Sequence, residues 1–400
     1  MPETWSHRAD LASSAIDERH AMRLWGIPKT NLAAATWPAG AKDKLFWHWH
    51  YWWQAQYLDC QVDAASRRPT KSRKRRIADT LRGIQRRNRG KLTENQHYDD
   101  KAWLALAWNR ALALEGSRRP RALDALEFDL LAGIDPVTGV LPWRKGETFY
   151  NVPSNATAAI VFARTGRLDK ARQIVDWIFD NLVTESGLLF DGIRMRMNGP
   201  EVVEKIYTYN QGTVLGASLE IALALREDVG LGYTDQIDSF EDSQRADDSV
   251  FYITHIRAIV QAVALHLANP QGVIVSPESE SGEGDGGLFK GILARYLAEV
   301  AVRLPADSRE NIATKKVAAR LVLASAESLW THRLEVDGLP IFPAEWTEDA
   351  RLPHNYGLGP SSLSEAVGLL RIDERDLSVQ LSGWLLLEAA ARVAASDVLG

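Results

Sequence analysis

Trp103-Leu104-Ala105-Leu106-Ala107-Trp108-Asn109-Arg110-Ala111-Leu112-Ala113-Leu114 is long enough for three helical turns and has no continuous polar face. A helix that is apolar all round has to be buried on every side. Other stretches are ordinary amphipathic helices: Ile77, Leu81 and Ile84 fall at helical spacing among Arg and Lys residues. Apolar residues recur three and four apart almost everywhere, and strand-like alternation is scarce. The pattern predicts helices over 10–25, 44–65, 72–88, 100–115, 120–132, 155–165, 168–183, 207–226, 249–268, 288–303, 309–331, 361–371 and 377–396. Ser117 with Pro120 suits a helix start, and Gly166 a break between helices. Turn formers predict loops at Asp135–Gly139, Asp191–Pro200, Ser276–Gly287 and Pro353–Pro360. Buried helices alternating with amphipathic ones describe an all-α double-ring toroid, with consecutive helices paired as antiparallel hairpins. A linear solenoid would carry a fixed-length repeat, which the sequence lacks. No low-complexity linker divides the chain, so one domain over 1–400 is expected, with 1–43 an N-terminal extension or the first outer helix.

Composition narrows the function. Of 400 residues, 46% are hydrophobic and 25% charged, which excludes disordered, collagenous and coiled-coil classes. No apolar run reaches the length of a membrane span, and no signal peptide is legible at the start. The single cysteine, Cys60, fits a reducing compartment, so a cytoplasmic protein is expected. The net charge of −5 hides an asymmetry. Residues 67–91 hold twelve Lys and Arg against Asp79 alone, leaving 35 basic and 51 acidic groups elsewhere. No aromatics are interleaved with that basic run and no nucleic-acid motif accompanies it, so a solvated helix face is expected rather than a nucleic-acid site.

Tryptophan is over-used, 14 against 10 Phe and 10 Tyr. Its flat face covers sugar C–H groups, although large helical cores use it too. Phe46-Trp47-His48-Trp49-His50-Tyr51-Trp52-Trp53 concentrates six of the rings. On a helix, Trp49, Trp52 or Trp53, Gln56 and Asp59 would share a stripe, either as core or with one or two rings in a cleft. His48 and His50, two apart, make a poor metal pair, and no metal-binding motif occurs; neither metal nor cofactor is expected. The glycine-rich Ser281–Gly287 lacks the Gly-Lys-Ser/Thr ending of a phosphate loop and reads as a cleft rim.

Adjacent acids occur at Asp99-Asp100, Glu241-Asp242, Asp247-Asp248 and Glu348-Asp349. Asp247-Asp248 is most simply a helix cap. Asp99-Asp100 follows His97-Tyr98 and opens the buried-type helix, where capping and chemistry are both served. Glycosidic hydrolysis needs a proton donor and a second carboxylate that attacks C1 or activates water. Adjacent carboxylates at a first turn favour the close retaining arrangement, and mutual repulsion separates their proton affinities.

Tyr98-Asp99-Asp100-Lys101-Ala102-Trp103 resembles the catalytic signature of glycoside hydrolase family 76, the endo-α-1,6-mannanases. Three further segments are similar in family order: Asn151 through Ile160, Tyr207-Thr208-Tyr209-Asn210-Gln211-Gly212, and Leu288-Phe289-Lys290-Gly291-Ile292. The resemblance implies an (α/α)6 barrel and retaining cleavage of α-1,6-linked mannan. It makes Asp99 the nucleophile and Asp100 the general acid/base. It also implies sugar contacts from Tyr98, Trp143, Asn151, Asn155, Asp191, Tyr209, Asn210, Gln211, Phe289 and Lys290. Leu288 and Tyr150 depart from the family's usual Gln and Lys. Three alternatives stay open: transglycosylation through the same intermediate, a sugar epimerase using His97 or His255, and a non-catalytic glycan-binding protein.

Overall fold

The computed structural model describes residues 4–116, 118–228, 240–277, 280, 284–351 and 373–399. Ser117, the predicted loop at Pro353–Pro360 and the predicted helix over 361–371 lie outside these. In chain order the helices are α1 (Trp5–Arg19), α2 (Ala41–Lys44), α3 (Tyr51–Arg67), α4 (Lys71–Arg87), α5 (Tyr98–Glu115), α6 (Arg121–Ala132) and α7 (Val152–Arg164). They continue as α8 (Leu168–Leu182), α9 (Thr208–Asp228), α10 (Phe240–His266), α11 (Gly286–Arg303), α12 (Arg309–Thr331) and α13 (Leu377–Ala394).

The helices that are apolar all round form the inner ring. Helix α3 packs on α5, α5 on α7, α7 on α9, α9 on α11 and α11 on α13, and α13 returns to α3. Each inner helix carries an amphipathic outer partner: α4, α6, α8, α10 and α12 in turn, with α1 on α13. Among the described residues, six inner and six outer helices make the (α/α)6 barrel that the family resemblance implies. Helix α1 takes the sixth outer place and supplies Asp10, on which Arg67, Arg68 and Arg73 of the basic run converge. Arg76 meets Asp17 of the same helix.

Close approach in the ring depends on two glycines. A Cβ on Gly212 would lie 2.8 Å from the Leu293 Cα, and one on Gly291 would lie 2.7 Å from the Ser382 Cα. Any larger residue at either place would force the inner helices apart.

Four inner helices also share a device at their fourth residue. Gln54, Asn155, Gln211 and Gln380 each accept from the backbone N–H, and donate to the C=O, of one loop residue: Ala33, Leu141, Leu189 and Phe342 respectively. A buried loop backbone needs such partners, and one amide side chain meets both halves of the requirement. In the other two inner helices a lysine stands at or one residue beyond that place: Lys101 on Asp129, and Lys290 on the Ala344 carbonyl.

Two expectations are corrected. The predicted helix over 44–65 begins only at Tyr51, because Phe46 (φ 52°) and His50 (φ 42°) sit in the left-handed region. The aromatic run is therefore split between a loop and the first turn of α3, and Trp49 does not share a helical stripe with Trp52. The predicted loop at Asp191–Pro200 is mostly β-structure. Strands β1 (Ala21–Met22) and β2 (Leu32–Ala33) make a small pair near the N-terminus, and β3 (Phe149–Asn151), β4 (Phe190–Arg196) and β5 (Gly199–Ile206) form an antiparallel sheet. Arg196 pairs with Gly199, leaving Met197-Asn198 as a two-residue turn. Strand β5 is largely exposed on both faces, so it lacks the apolar alternation that marks a strand. Strands β6 (Leu334–Val336) and β7 (Leu339–Ile341) form a further hairpin.

Because outer helices return the chain, all six inner helices run the same way and the barrel has two unlike ends. Their C-terminal ends surround a cavity of about 830 Å³. Arginine and carboxylate alternate around it: Arg110 and Arg295 both bridge Asp59 and Asp63, Arg164 and Arg303 grip Glu220, and Arg303 and Arg392 grip Glu299. Their N-terminal ends carry the acid pair.

Candidate active site

Asp99 and Asp100 are the second and third residues of α5, where a helix leaves its first N–H groups without intrahelical acceptors. The Asp100 N–H donates to Asp99 Oδ1 at 3.0 Å. Asn95 Nδ2 donates to Asp100 Oδ2 at 2.7 Å. Both carboxylates keep some exposed surface, so neither is sealed in the core nor held by main-chain amides alone.

Burial is the largest influence on both acids and pushes them up. Asp99 is raised to about 7, with backbone N–H donation and the Trp143 side chain opposing burial. Asp100 stands well above the usual carboxylate range through burial and the Asp99 charge, against the Asn95 hydrogen bond. The neighbouring Asp285 carboxylate raises both. Among the described residues no lysine or arginine forms an ion pair with Asp99, Asp100 or Asp285. Lys101 and Lys145 are both taken by Asp129, at 2.6 and 2.9 Å.

Asp285 immediately precedes α11 without a side-chain capping bond, and it receives two indole N–H groups on one oxygen, from Trp52 at 3.1 Å and Trp53 at 2.8 Å. The aromatic residues beside it form a ledge across four inner helices. Trp103 lies 6.4 Å from Trp52, Trp52 lies 6.3 Å from Phe289, and Phe289 stacks on Tyr209 at 3.9 Å and 4°. Trp143 closes another side, with its ring 4.9 Å from His97. It is held from below: the Tyr98 N–H donates to the Trp143 carbonyl, the Trp143 N–H donates to the Phe149 carbonyl, and Asn155 clips the same loop at Leu141. Next to this ledge a hollow of about 540 Å³ opens between α2, His50, Trp53, Gly284 and Asp376.

The sequence-derived sugar contacts divide into two groups. Trp143, Tyr209 and Phe289 stand around the acid pair. Asn155, Gln211 and Lys290 do not offer polar atoms to a sugar. All three are essentially inaccessible; the two amides are spent on their clips, and Lys290 Nζ on Ala344 O and Glu345 at 2.9 Å each. The correction has one physical reason: a buried amide or ammonium must be satisfied, and the loop backbone satisfies it before any ligand arrives. Asn151 is the N-cap of α7 and accepts from the Ser154 N–H. Tyr98 turns its ring onto the Lys101 ammonium, 3.8 Å from its centroid, and against Gly133. Asn210 is inaccessible and donates to Asp191 Oδ1 at 3.0 Å, while its own Oδ1 has no hydrogen-bond partner. Burial raises Asp191 to about 6, against the Asn210 hydrogen bond.

Three residues were not singled out from sequence: Asn95, Asp285 and Tyr51, whose buried hydroxyl lacks a partner and whose phenol is pushed up by burial and the Asp100 charge. Asp285 lay in plain view within the glycine-rich Ser281–Gly287, which read as a rim. The histidines of the epimerase alternative are apart: His97 packs on Trp143, whereas His255 stacks on Phe179 from outer helix α10. Among the described residues no group of three or more His, Cys, Asp or Glu is placed to hold a metal ion.

Comparison with known proteins gives a consistent set. Residues 29–359 match the family model described as glycosyl hydrolase family 76. The α-1,6-mannanase of a Salegentibacter species is 26% identical in sequence, with a TM-score of 0.73 over 97% of this chain and 99% of that one. An inactive variant of that enzyme, altered at two consecutive aspartates and bound to α-1,6-mannotetrose, is 25% identical with a TM-score of 0.74 over 98% of this chain and 100% of that one. The mannan endo-1,6-alpha-mannosidase DFG5 of Saccharomyces cerevisiae is 31% identical over 87 residues, a stretch that spans only 19% of this chain and 19% of the yeast protein.

Proposed function

The chain belongs to glycosyl hydrolase family 76, and from that premise we propose that it cleaves α-1,6-linked mannan or mannooligosaccharides with retention at the anomeric carbon. Asp99 is the nucleophile and Asp100 the general acid/base. In the first step an Asp99 oxygen bonds to C1 while Asp100 gives its proton to the departing glycosidic oxygen. In the second, Asp100, now a carboxylate, takes a proton from the water that attacks C1, and the bond to Asp99 breaks.

The observation that carries this reading is the pair of adjacent raised carboxylates at the N-terminal end of the inner ring, with no ion-pair partner among the described residues. Asp100, raised by burial and by the Asp99 charge, suits the proton donor, and Asp99, aided by the Asp100 N–H and Trp143, suits the group that must ionise. The aromatic ledge of Trp52, Trp103, Phe289 and Tyr209 offers flat faces to sugar C–H groups. Support for the linkage comes from the Salegentibacter enzyme, inactivated at consecutive aspartates and bound to an α-1,6-mannan fragment.

The test is to incubate the protein with linear α-1,6-mannooligosaccharides and follow the first-released anomer by NMR. An α-anomer is expected. A β-anomer released first would refute retention, and near-normal turnover by Asp99→Asn or Asp100→Asn would refute the role of that residue.

A further inference from the structure

A cationic, aromatic patch lies at the rim of the barrel beside α2 and the N-terminus of α3, and the chemistry above makes no use of its exposed rings. Trp25, Leu45 and Trp47 are 52%, 55% and 69% exposed, values far from those of the buried rings around them. Trp25 and Leu45 are in direct contact, the Trp25 indole N–H donating to the Leu45 carbonyl at 2.8 Å, and Trp47 follows Leu45 two residues on along the chain. Helix α4 holds both loops in place. Arg82 donates to the Lys29 carbonyl, and Arg87 donates twice to the Phe46 carbonyl, at 3.1 and 2.9 Å. Left-handed backbone at Trp25, Lys29 and Phe46 fixes the turns that carry the rings outward.

The exposed charge on these loops is mostly positive. Lys29, Lys42, Lys44, Arg86 and Arg89 are exposed, and none takes part in an ion pair among the described residues. They contrast with Arg67, Arg68, Arg73 and Arg76 toward the other end of the basic run, all neutralised by Asp10 or Asp17 of α1. Of the acids beside these loops, Asp43 is engaged by Thr36 and the Gly40 N–H, and Asp79 pairs with Arg82.

We propose that Trp25, Leu45 and Trp47, together with these five exposed cations of the same two loops, α2 and α4, form a docking surface for an anionic phospholipid membrane. Tryptophan prefers the boundary between headgroup and acyl chain, where its face is apolar and its edge wet. Cations beside such rings are drawn to anionic headgroups, and the two contributions together bind a protein to the surface of a bilayer. A neutral mannan would leave the five charges without partners. A nucleic acid would match the charges and leave Leu45 without a role. No described helix is long and apolar enough to span a bilayer, so the contact is peripheral.

The experiment is co-sedimentation of the full chain with phosphatidylcholine vesicles, with and without phosphatidylglycerol, at low and high salt. Binding is expected only to the phosphatidylglycerol vesicles and is expected to weaken at high salt. Trp47→Ser and the pair Lys44→Glu with Arg86→Glu should each lower the bound fraction at least tenfold with thermal melting unchanged. Failure of the parent protein to bind those vesicles would overturn the proposal. So would equal binding by the variants, or retention on mannan or heparin that the same variants lose while vesicle binding persists.

Discussion

The two ends of the barrel both desolvate carboxylates and treat them in opposite ways. At the C-terminal end of the inner ring, burial pushes Glu299 up, but Arg392, Arg303, Arg110 and Arg164 override it and hold the group at about 2. Glu220 is likewise held below its ordinary value by Arg303 and Arg164. At the N-terminal end desolvation meets no paired guanidinium among the described residues; Asp99 rises to about 7, and Asp100 is pushed well above the usual carboxylate range by burial and the Asp99 charge. Desolvation alone does not determine the proton affinity of a buried acid; the presence of a facing cation sets the sign. One end spends its acids on holding helices together, and the other keeps them proton-hungry.

The sharpest break between the ends comes from neutralising an acid at each. Asp99→Asn and Asp100→Asn should each lower turnover on α-1,6-mannotetraose by at least about 10³-fold, the scale seen when a catalytic group is removed. Both variants should also melt higher at pH 7, by roughly 2 °C or more, since an amide does not carry the cost of a proton affinity raised in the folded state. The sign follows from linkage. A carboxylate whose folded value is raised weakens the fold as pH climbs from its unfolded value through its folded one, so the gain should disappear near pH 4. A lower melting temperature for both variants at pH 7 would contradict the account.

Glu299→Gln should do the reverse: leave turnover intact and cost about 3 kcal/mol in urea unfolding at pH 7, the worth of a folded value near 2 against an ordinary 4.5. Glu299 stabilises the fold above its unfolded value, and that contribution is lost as pH falls from about 4.5 toward 2. The variant and parent should therefore converge in acid. Gly291→Ala tests packing rather than charge. Its methyl would press on Ser382, and a loss of roughly 1–3 kcal/mol is expected by the same unfolding measurement. The smallest effect is expected from Trp143→Phe, which removes the side-chain donor to Asp99. The acid limb of the kcat/KM profile should move up by less than about one pH unit. An unmoved limb would mean that Trp143 only packs against the site.

The ring itself was legible because inner helices must be apolar all round, and α5 advertises this from Trp103 to Leu114. The acid pair was legible because few arrangements place two aspartates at the head of such a helix. The hairpin of β4 and β5 was not, since an exposed strand has no apolar rhythm. The break before α3 was hidden as well, because Phe46 and His50 adopt left-handed backbone without the glycine that normally signals it. Asn155, Gln211 and Lys290 misled for a different reason. A polar side chain near the head of a buried helix reads the same whether its partner is a sugar or a loop backbone. Only coordinates reveal that Gln54, Asn155, Gln211 and Gln380 repeat one clip in a chain without a sequence repeat.

Those clips have a consequence for change over time. Each asks of its loop only one N–H and one C=O, groups that every residue except proline supplies whatever its side chain. The segments crossing the catalytic end can therefore exchange their side chains, and with them the linkage or sugar they favour, while their anchor points stay fixed. The barrel acts as a chassis with interchangeable fittings, and grafting a foreign loop between two anchors is the natural route to redesigning its specificity.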